Sequence, residues 1–365
     1  MVSGRDVMSE RGTRVDEIVS MLRDRIVSGQ FPPGARFPKR TELIEEFEAS
    51  NGTIQAAVDR LIEGGFLEAT RGQGTFVSES VPHLKRHGLV MPMQPHSERD
   101  IYSQFYTALR EAAKSVAAEQ QLQIVCYDSI DFGREGETRQ NLMEDVESRR
   151  VAGLVFVDCP DVENFFRNES LPRVAVAASS PRPAVPSVYV DAQNFMEKAL
   201  KYLVENGRSA VAVLHARSGQ GGRRRFEHLA HELDLEVRPY WKYRVDPRDG
   251  DALATYVHLL MSGKEDRPDG LVIADDNLVT MATMGVGASG VKVPDELQVV
   301  AATNFPAAPE AQVPVQRLGF DAEELLRLCL NRISAIREGE PMEQSRFLPA
   351  TFEQELRGAN AINSA

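Results

Sequence analysis

A chain of 365 residues, 42% hydrophobic and 26% charged, holds enough apolar material for two or three cores and lies far from the composition of a disordered or fibrous protein. Its formal net charge of -12 excludes a globally basic nucleic-acid coat, and apolar runs no longer than 154–157 or 173–178 exclude a bilayer-spanning helix. Three widely spaced cysteines, Cys126, Cys159 and Cys329, suit reduced core thiols better than a disulfide frame or a zinc site. Because Arg5, Asp6, Glu10 and Arg11 interrupt any leader pattern, the expected location is the cytoplasm, with no membrane partner.

Residues 1–12 read as disordered. Val15, Ile18, Val19, Leu22 and Ile26 then recur at helical spacing and stop before Gly29, which predicts a first helix. A second helix is expected from Lys39 and Arg40 onward. A third follows Ser50, whose hydroxyl suits an N-cap ahead of Ile54, Ala57, Val58 and Leu61. Gly64 and Gly65 end it. Phe66 and Leu67 open an extended run, Arg71, Gly72, Gln73 and Gly74 supply a turn, and Thr75, Phe76 and Val77 return as a strand. Helix, turn, helix and hairpin in this order make a winged helix, a DNA-reading unit.

The same stretch carries Pro33-Gly34, Phe37-Pro38, Ala49-Ser50-Asn51-Gly52-Thr53-Ile54 and Gly72-Gln73-Gly74-Thr75-Phe76-Val77. In order and separation these resemble the GntR family of bacterial transcription regulators. The family has arginines where this chain has Asn51 and Gln55. Amides pair better with adenine than with guanine, so the operator is expected to depend less on G than is usual for the family. A capping role for Asn51 and Thr53 is the competing reading. Residues 1–85 hold 11 Lys and Arg against 13 Asp and Glu, so DNA contact has to come from a local cluster of Arg36, Lys39, Arg40 and Arg71. Glu42, Glu45, Glu46 and Glu48 are expected on the far side of the second helix.

Residues 78–85 are polar, contain Pro82 and read as a linker between a winged helix over 13–77 and a second domain over 86–356. There, apolar strands at 88–91, 122–127, 153–157, 173–178, 188–190, 210–214, 270–274 and 297–302 alternate with helical patterns at 101–119, 137–149, 192–206, 226–233, 253–261, 278–289 and 322–337. Such alternation predicts an α/β fold with parallel, doubly wound sheets in two lobes.

Further pieces are Ser148-Arg149-Arg150-Val151-Ala152-Gly153-Leu154-Val155, Pro186-Ser187-Val188-Tyr189-Val190-Asp191, Ala274-Asp275-Asp276-Asn277 and Val293-Pro294-Asp295-Glu296-Leu297. Their order and spacing resemble the LacI/GalR effector domain, itself similar to periplasmic sugar-binding proteins. A GntR-type reader on a LacI-like sensor resembles the arabinose-responsive subgroup of regulators. The resemblance implies a homodimer on a pseudo-palindromic double-stranded operator, a small-molecule effector of the sugar class between lobes, repression as the mode, and no cofactor.

Expected DNA contacts are Arg36, Lys39, Arg40, Ser50, Asn51, Gly52, Thr53, Gln55, Arg71, Gln73 and Gly74, at helix starts and the wing tip where backbone amides, amides and guanidinium groups meet phosphates and base edges. Expected ligand contacts follow strands, where α/β sheets keep their crevice: Asp128, Asp191, Asp275, Asp276 and Asn304. Arg223 and Arg225 join them from the basic, Gly-rich stretch at 218–225, which could receive an anion or be a flexible surface loop. That stretch lacks the Gly-Lys-Ser/Thr ending of a P-loop, and no nucleophile elbow, His-Glu-x-x-His or Cys-x-x-Cys is present, so the chain is read as no enzyme and no metal protein. The alternative to a regulator is a sugar-binding sensor without effective DNA binding.

Overall fold

The computed structural model describes residues 4–92, 103–131, 133–159, 171–177, 185–216, 221–263, 266–340, 343 and 345–357, with backbone only for 4–13, 177 and 221–225. Its contacts divide the chain into two compact units, one holding residues 1–90, 120–155 and 168–173, the other 91–119, 156–167 and 174–365.

In the first unit, α1 (Gly4–Val27) begins well before the apolar repeat, so a helix replaces the disorder expected for residues 4–12. Helices α2 (Arg40–Phe47) and α3 (Asn51–Glu63) follow, then the antiparallel hairpin β1 (Leu67–Thr70) and β2 (Gly74–Val77), in register Leu67 opposite Val77 and Thr70 opposite Gly74. Ile18, Leu22, Leu43, Ile54, Leu61 and Phe66 are buried together, which closes three short helices and a hairpin around one core. Gly72 and Gly74 take φ of 79° and 119°, values open to glycine that let the wing turn tightly. Residues 78–85 are packed rather than loose. Val81 joins the winged-helix core, and Pro82 starts a single helical turn, α4 (Pro82–Lys85).

Strand β3 (Arg86–Pro92) opens a six-stranded sheet with β4 (Gln123–Ile130), β5 (Gly153–Val157), β6 (Arg173–Ala177), β7 (Ser187–Val190) and, from late in the chain, β13 (Ser345–Leu348), in the order β13-β7-β6-β5-β3-β4. Helices α5 (Gln104–Gln120) and α6 (Glu137–Glu147) flank β4 in sequence. The other six-stranded sheet has the order β14-β12-β11-β10-β8-β9, from β8 (Val211–Ala216), β9 (Lys242–Val245), β10 (Gly270–Ile273), β11 (Gln298–Phe305), β12 (Gln316–Asp321) and β14 (Thr351–Phe352). All its pairs are parallel except β12 with β14.

Helices α7 (Ala192–Glu205), α8 (Gly221–Glu232), α9 (Gly250–Ser262), α10 (Val279–Ser289) and α11 (Ala322–Glu338) complete the unit. Alternate residues along β10 show why this sheet is covered on both faces. Leu271 and Ile273 pack with Leu253, Val257, Ala282 and Val286 of α9 and α10. Val272 packs with Ala199, Leu203 and Phe226 of α7 and α8. Period-two burial of opposite faces by two pairs of helices is the three-layer solution that alternating βα segments require. Cys159 and Cys329 are buried and Cys126 is half-buried. Among the described residues no helix is long and apolar enough to cross a membrane.

Candidate functional site

The reader presents its polar residues at two places. At the start of α3, Ser50 is the N-cap: its Oγ accepts the Thr53 amide at 3.2 Å and lies 2.8 Å from Thr53 Oγ1. That bond satisfies one of the helix's orphan donors, and it buries Thr53 to 8% exposure. Thr53 is therefore the residue that Ser50 caps, with its side chain turned inward. Asn51 and Gly52 stand exposed on the first turn, and Gln55 is half-buried with its Nε2 donating to Asp59 Oδ1 at 2.5 Å. Lys39 and Arg40 are exposed at the start of α2, where the Lys39 amide donates to Glu42 Oε2 at 2.8 Å.

At the wing, Arg36 bridges to Phe76 as an isolated β-pair, and its Nη2 donates to the Gln73 carbonyl at 3.2 Å. The guanidinium lies over Gly74, where an added Cβ would sit 3.6 Å from Nη2. Arg36, Gln73 and Gly74 are thus one assembly, with Arg71 exposed at the tip. Glu42 is engaged by the Lys39 amide and Glu46 by Arg25 of α1, so two of the four nearby glutamates are tied inside the reader.

Of the candidates after strands, the structure brings Asp275, Asp276 and Asn304 together at the carboxyl ends of β10 and β11. Asn304 Nδ2 donates to Asp276 Oδ2 at 2.6 Å. Asn277 Nδ2 donates to Asp275 Oδ1 at 2.9 Å and to Asp276 Oδ1 at 3.2 Å, and the Asn277 amide donates to Asp275 Oδ1 at 3.0 Å. The Gln104 amide, first in α5, donates to Asn277 Oδ1 at 3.0 Å and fixes the orientation of that bridging side chain. Burial pushes the Asp276 carboxyl up to about 7, reinforced by neighbouring Asp275 and opposed by Asn304, and burial raises Asp275 as well.

Since the folded-state value of Asp276 lies above its ordinary one, the stability this carboxyl contributes is complete below about pH 4 and is lost as pH rises toward 7. Asp276→Asn should therefore gain in melting temperature relative to the native chain between those pH values and hold a constant difference above them. A difference that stays flat across the range would contradict the assignment.

Other candidates fall elsewhere. The Asp191 carboxylate accepts the Asn194 amide at 3.0 Å and caps α7. Asp128 lines a cavity of about 510 Å3 in the first unit, with Arg86, Tyr127, Asp145 and Arg150. Arg223 and Arg225 lie in the first turns of α8, so helix replaces the surface loop at 221–225, and their side chains are outside the described residues. Sequence reading passed over Asn277, Gln104 and Thr303. Asn277 could have been found from its place directly after the paired aspartates, whereas Gln104 is distant in sequence and gave no signal. His215, last but one on β8, also escaped notice. Burial first and Arg244 second lower its imidazole to about 4, so it is neutral at neutral pH, and its buried Nε2 has no hydrogen-bond partner.

Residues 14–77 match the family model of bacterial regulatory proteins, gntR family, and residues 200–356 match that of a periplasmic binding protein-like domain. The arabinose metabolism transcriptional repressor of Geobacillus stearothermophilus is 21% identical over 355 residues, covering 91% of this chain and 95% of that protein. Among solved structures, a LacI family transcriptional regulator from Arthrobacter sp. FB24 in complex with lactose aligns with a TM-score of 0.58 at 14% identity, over 73% of this chain and 97% of that one. A LacI family regulator from Lactobacillus casei with bound glucose aligns at 0.54 and 18% identity, over 73% and 98%. Residues 14–77 thus match a GntR-family segment, residues 200–356 match a periplasmic binding protein-like domain, and the α/β part of the chain has the fold seen in LacI family regulators.

Proposed function

We propose that this protein is an effector-responsive transcriptional repressor of the cytoplasm that acts as a homodimer on a pseudo-palindromic operator. In this reading α3 enters the major groove, with Asn51 and Gln55 on base edges, Ser50 and Gly52 near the backbone, and Lys39 and Arg40 on phosphates. Arg36 holds the wing in shape while Arg71, Gln73 and Gly74 approach the DNA. The effector, of the sugar class, hydrogen-bonds to Asp275, Asp276 and Asn304. Two half-sites follow from energetics, since one small reader makes few base contacts and a second copy doubles them. The effector changes DNA affinity only as far as it prefers one conformation of the sensor.

The observation that carries the reading is the union, in one chain, of a capped and exposed α3 start with a polar array at the carboxyl ends of a parallel sheet. The relatives support it: the Geobacillus protein is named an arabinose metabolism repressor, and the two solved regulators hold lactose and glucose.

Capture of genomic fragments from the source organism across a salt series tests it, with Asn51→Ala/Gln55→Ala beside the native chain. Thr53 is left intact because its burial would confound recognition with folding. Loss of two amide-to-base contacts should weaken selected sites by about 30-fold or more and leave non-specific binding unchanged. Equal, unselective capture by both proteins would remove the reader from the proposal. Gln55→Arg should in turn shift selected sites toward guanine.

A further inference from the structure

Asn51, Gln55 and Asp59 follow one another at i, i+4 and i+8 along α3 and so form one file on its surface. Asn51 and Asp59 are exposed and Gln55 is half-buried. The Gln55 amide is held within this file, where its Nε2 donates to Asp59 Oδ1 at 2.5 Å. Local physics gives Asp59 little other reason to be there. It lies in the carboxyl-terminal half of α3, on the side of the helix dipole that disfavours negative charge, and Glu63 four residues on repeats that charge. Among the described residues Asp59 forms no ion pair, and the neighbouring Arg60 is taken by Asp16 of α1. On a helix that meets DNA, its carboxylate also repels phosphate.

A glutamine amide that nothing holds can present its oxygen or its nitrogen to the same neighbour. The Asp59 carboxylate accepts and does not donate, so it admits Nε2 and rejects Oε1. Nε2 carries two N–H groups, and a bidentate contact to adenine uses one of them, on N7, together with Oε1 on the N6 amino group. With the other N–H committed to Asp59, that edge stays complete. Guanine offers two acceptors there, O6 and N7. Against guanine the held amide has one N–H left and turns Oε1 toward O6. We propose that Asp59 is a positioning residue for base recognition, fixing the Gln55 amide in the orientation that accepts adenine and refuses guanine. The inference rests on the reading of α3 as the recognition helix and adds to it the residue that sets its base preference. Asp59 itself touches no base and acts through Gln55.

Selection from a randomised duplex pool by the full-length native chain, followed by fluorescence anisotropy on the selected duplex and its single A·T to G·C exchanges, tests it. Gln55→Ala locates the base position that Gln55 reads. There the native chain should prefer A·T over G·C by about tenfold or more. Asp59→Ala and Asp59→Asn should each bring that ratio to within about threefold, because alanine lets the amide turn and asparagine can pair with either orientation of it. Glu63→Gln is the charge control. It removes the same charge from the same helix two turns beyond Gln55, so it should raise affinity for every duplex alike and leave the ratio unchanged. In the Gln55→Ala background, Asp59→Ala should change no base preference.

Asp59 variants that keep the native ratio, or that only tighten all duplexes alike as Glu63→Gln does, would overturn the positioning role and leave Gln55 standing as a base reader. If Gln55→Ala leaves every base preference unchanged, the recognition reading of Gln55 falls, and the role of Asp59 falls with it. A native chain that selects no duplex at all would remove the reader itself, and the roles of both residues together.

Discussion

Gly319→Ala should cost about 3 kcal/mol or more of stability in urea unfolding. A Cβ at Gly319 would meet the Thr303 carbonyl oxygen at 1.6 Å, its carbonyl carbon at 2.6 Å and its amide nitrogen at 2.9 Å. All three are backbone atoms of the neighbouring strand, paired in register with Gly319, so no rotamer change can relieve the overlap. Separating β12 from β11 is the only relief, and that disturbs the strand that delivers Thr303 and Asn304. Loss of stability should be accompanied by loss of ligand binding. Gly287→Ala is the control: its Cβ would find only Val313 Cγ1 at 3.6 Å, within an exposed helical turn. It should stabilise by about 0.5 kcal/mol through reduced unfolded-state freedom. Equal midpoints for the two variants would show that β11 and β12 are not held as closely as the register implies.

Asp145→Ala is expected to cost about 3 kcal/mol, measured the same way. Asp145 is 5% exposed, accepts hydrogen bonds from Arg86 Nη2 at 2.7 Å and from the Tyr127 hydroxyl, and forms an ion pair with Arg150, whose Nε lies 3.0 Å away. Removing it strands two guanidinium groups and a phenol that burial and Asp145 together hold well above the usual tyrosine range. Because both arginines keep partial exposure, the cost should sit at the low end for a broken buried pair. A double-mutant cycle with Arg86→Gln and Asp145→Asn should return a coupling of about 1 kcal/mol or more. Additive effects would mean that the contact is incidental.

The position of this cluster ties the winged helix to the sheet of the same unit. Arg86 begins β3 directly after α4, so Asp145 anchors the point where the chain leaves the winged helix, and Arg149 next to Arg150 pairs with Asp24 of α1 at 2.9 Å. Burial first, then the nearby Arg150 and Arg149, lowers the Arg23 guanidinium below its ordinary value, with Asp24 opposing. Within this unit the reader is therefore fastened to the sheet at two places, which is why residues 78–85 do not behave as the loose linker their composition suggests.

Elements with strong local signals were legible in order and type. The α3 cap at Ser50, the glycine stop at Gly64 and the β5 run at 153–157 each follow from neighbours within a few residues. The strands that sequence reading missed have no such signal. β12 is polar at both ends, and β13 and β14 are short pieces whose pairing partners, β7 and β12, lie far off or in another element's context. Only long-range hydrogen bonding makes them strands, and an edge position asks little apolar content of β13 and β14. The helix at Gly4–Val27 was missed at its start because its first residues show no apolar periodicity.

The candidate site divides in the same way. Sequence by itself determined the kind of protein, because turn glycines, caps and the 3.6- and 2-residue periods are local, and because motif order survives without contact information. It also placed Asp275, Asp276 and Asn304 after strands. Tertiary structure alone decided that these three meet, that Asp191 is spent as a helix cap, and that Thr53 is turned inward beneath Ser50. It also decided that Gln104, from a helix more than a hundred residues earlier, orients Asn277. Those outcomes depend on which strand ends lie side by side and which side chains are dehydrated, quantities set by the packing of distant segments and written in no single stretch of the chain.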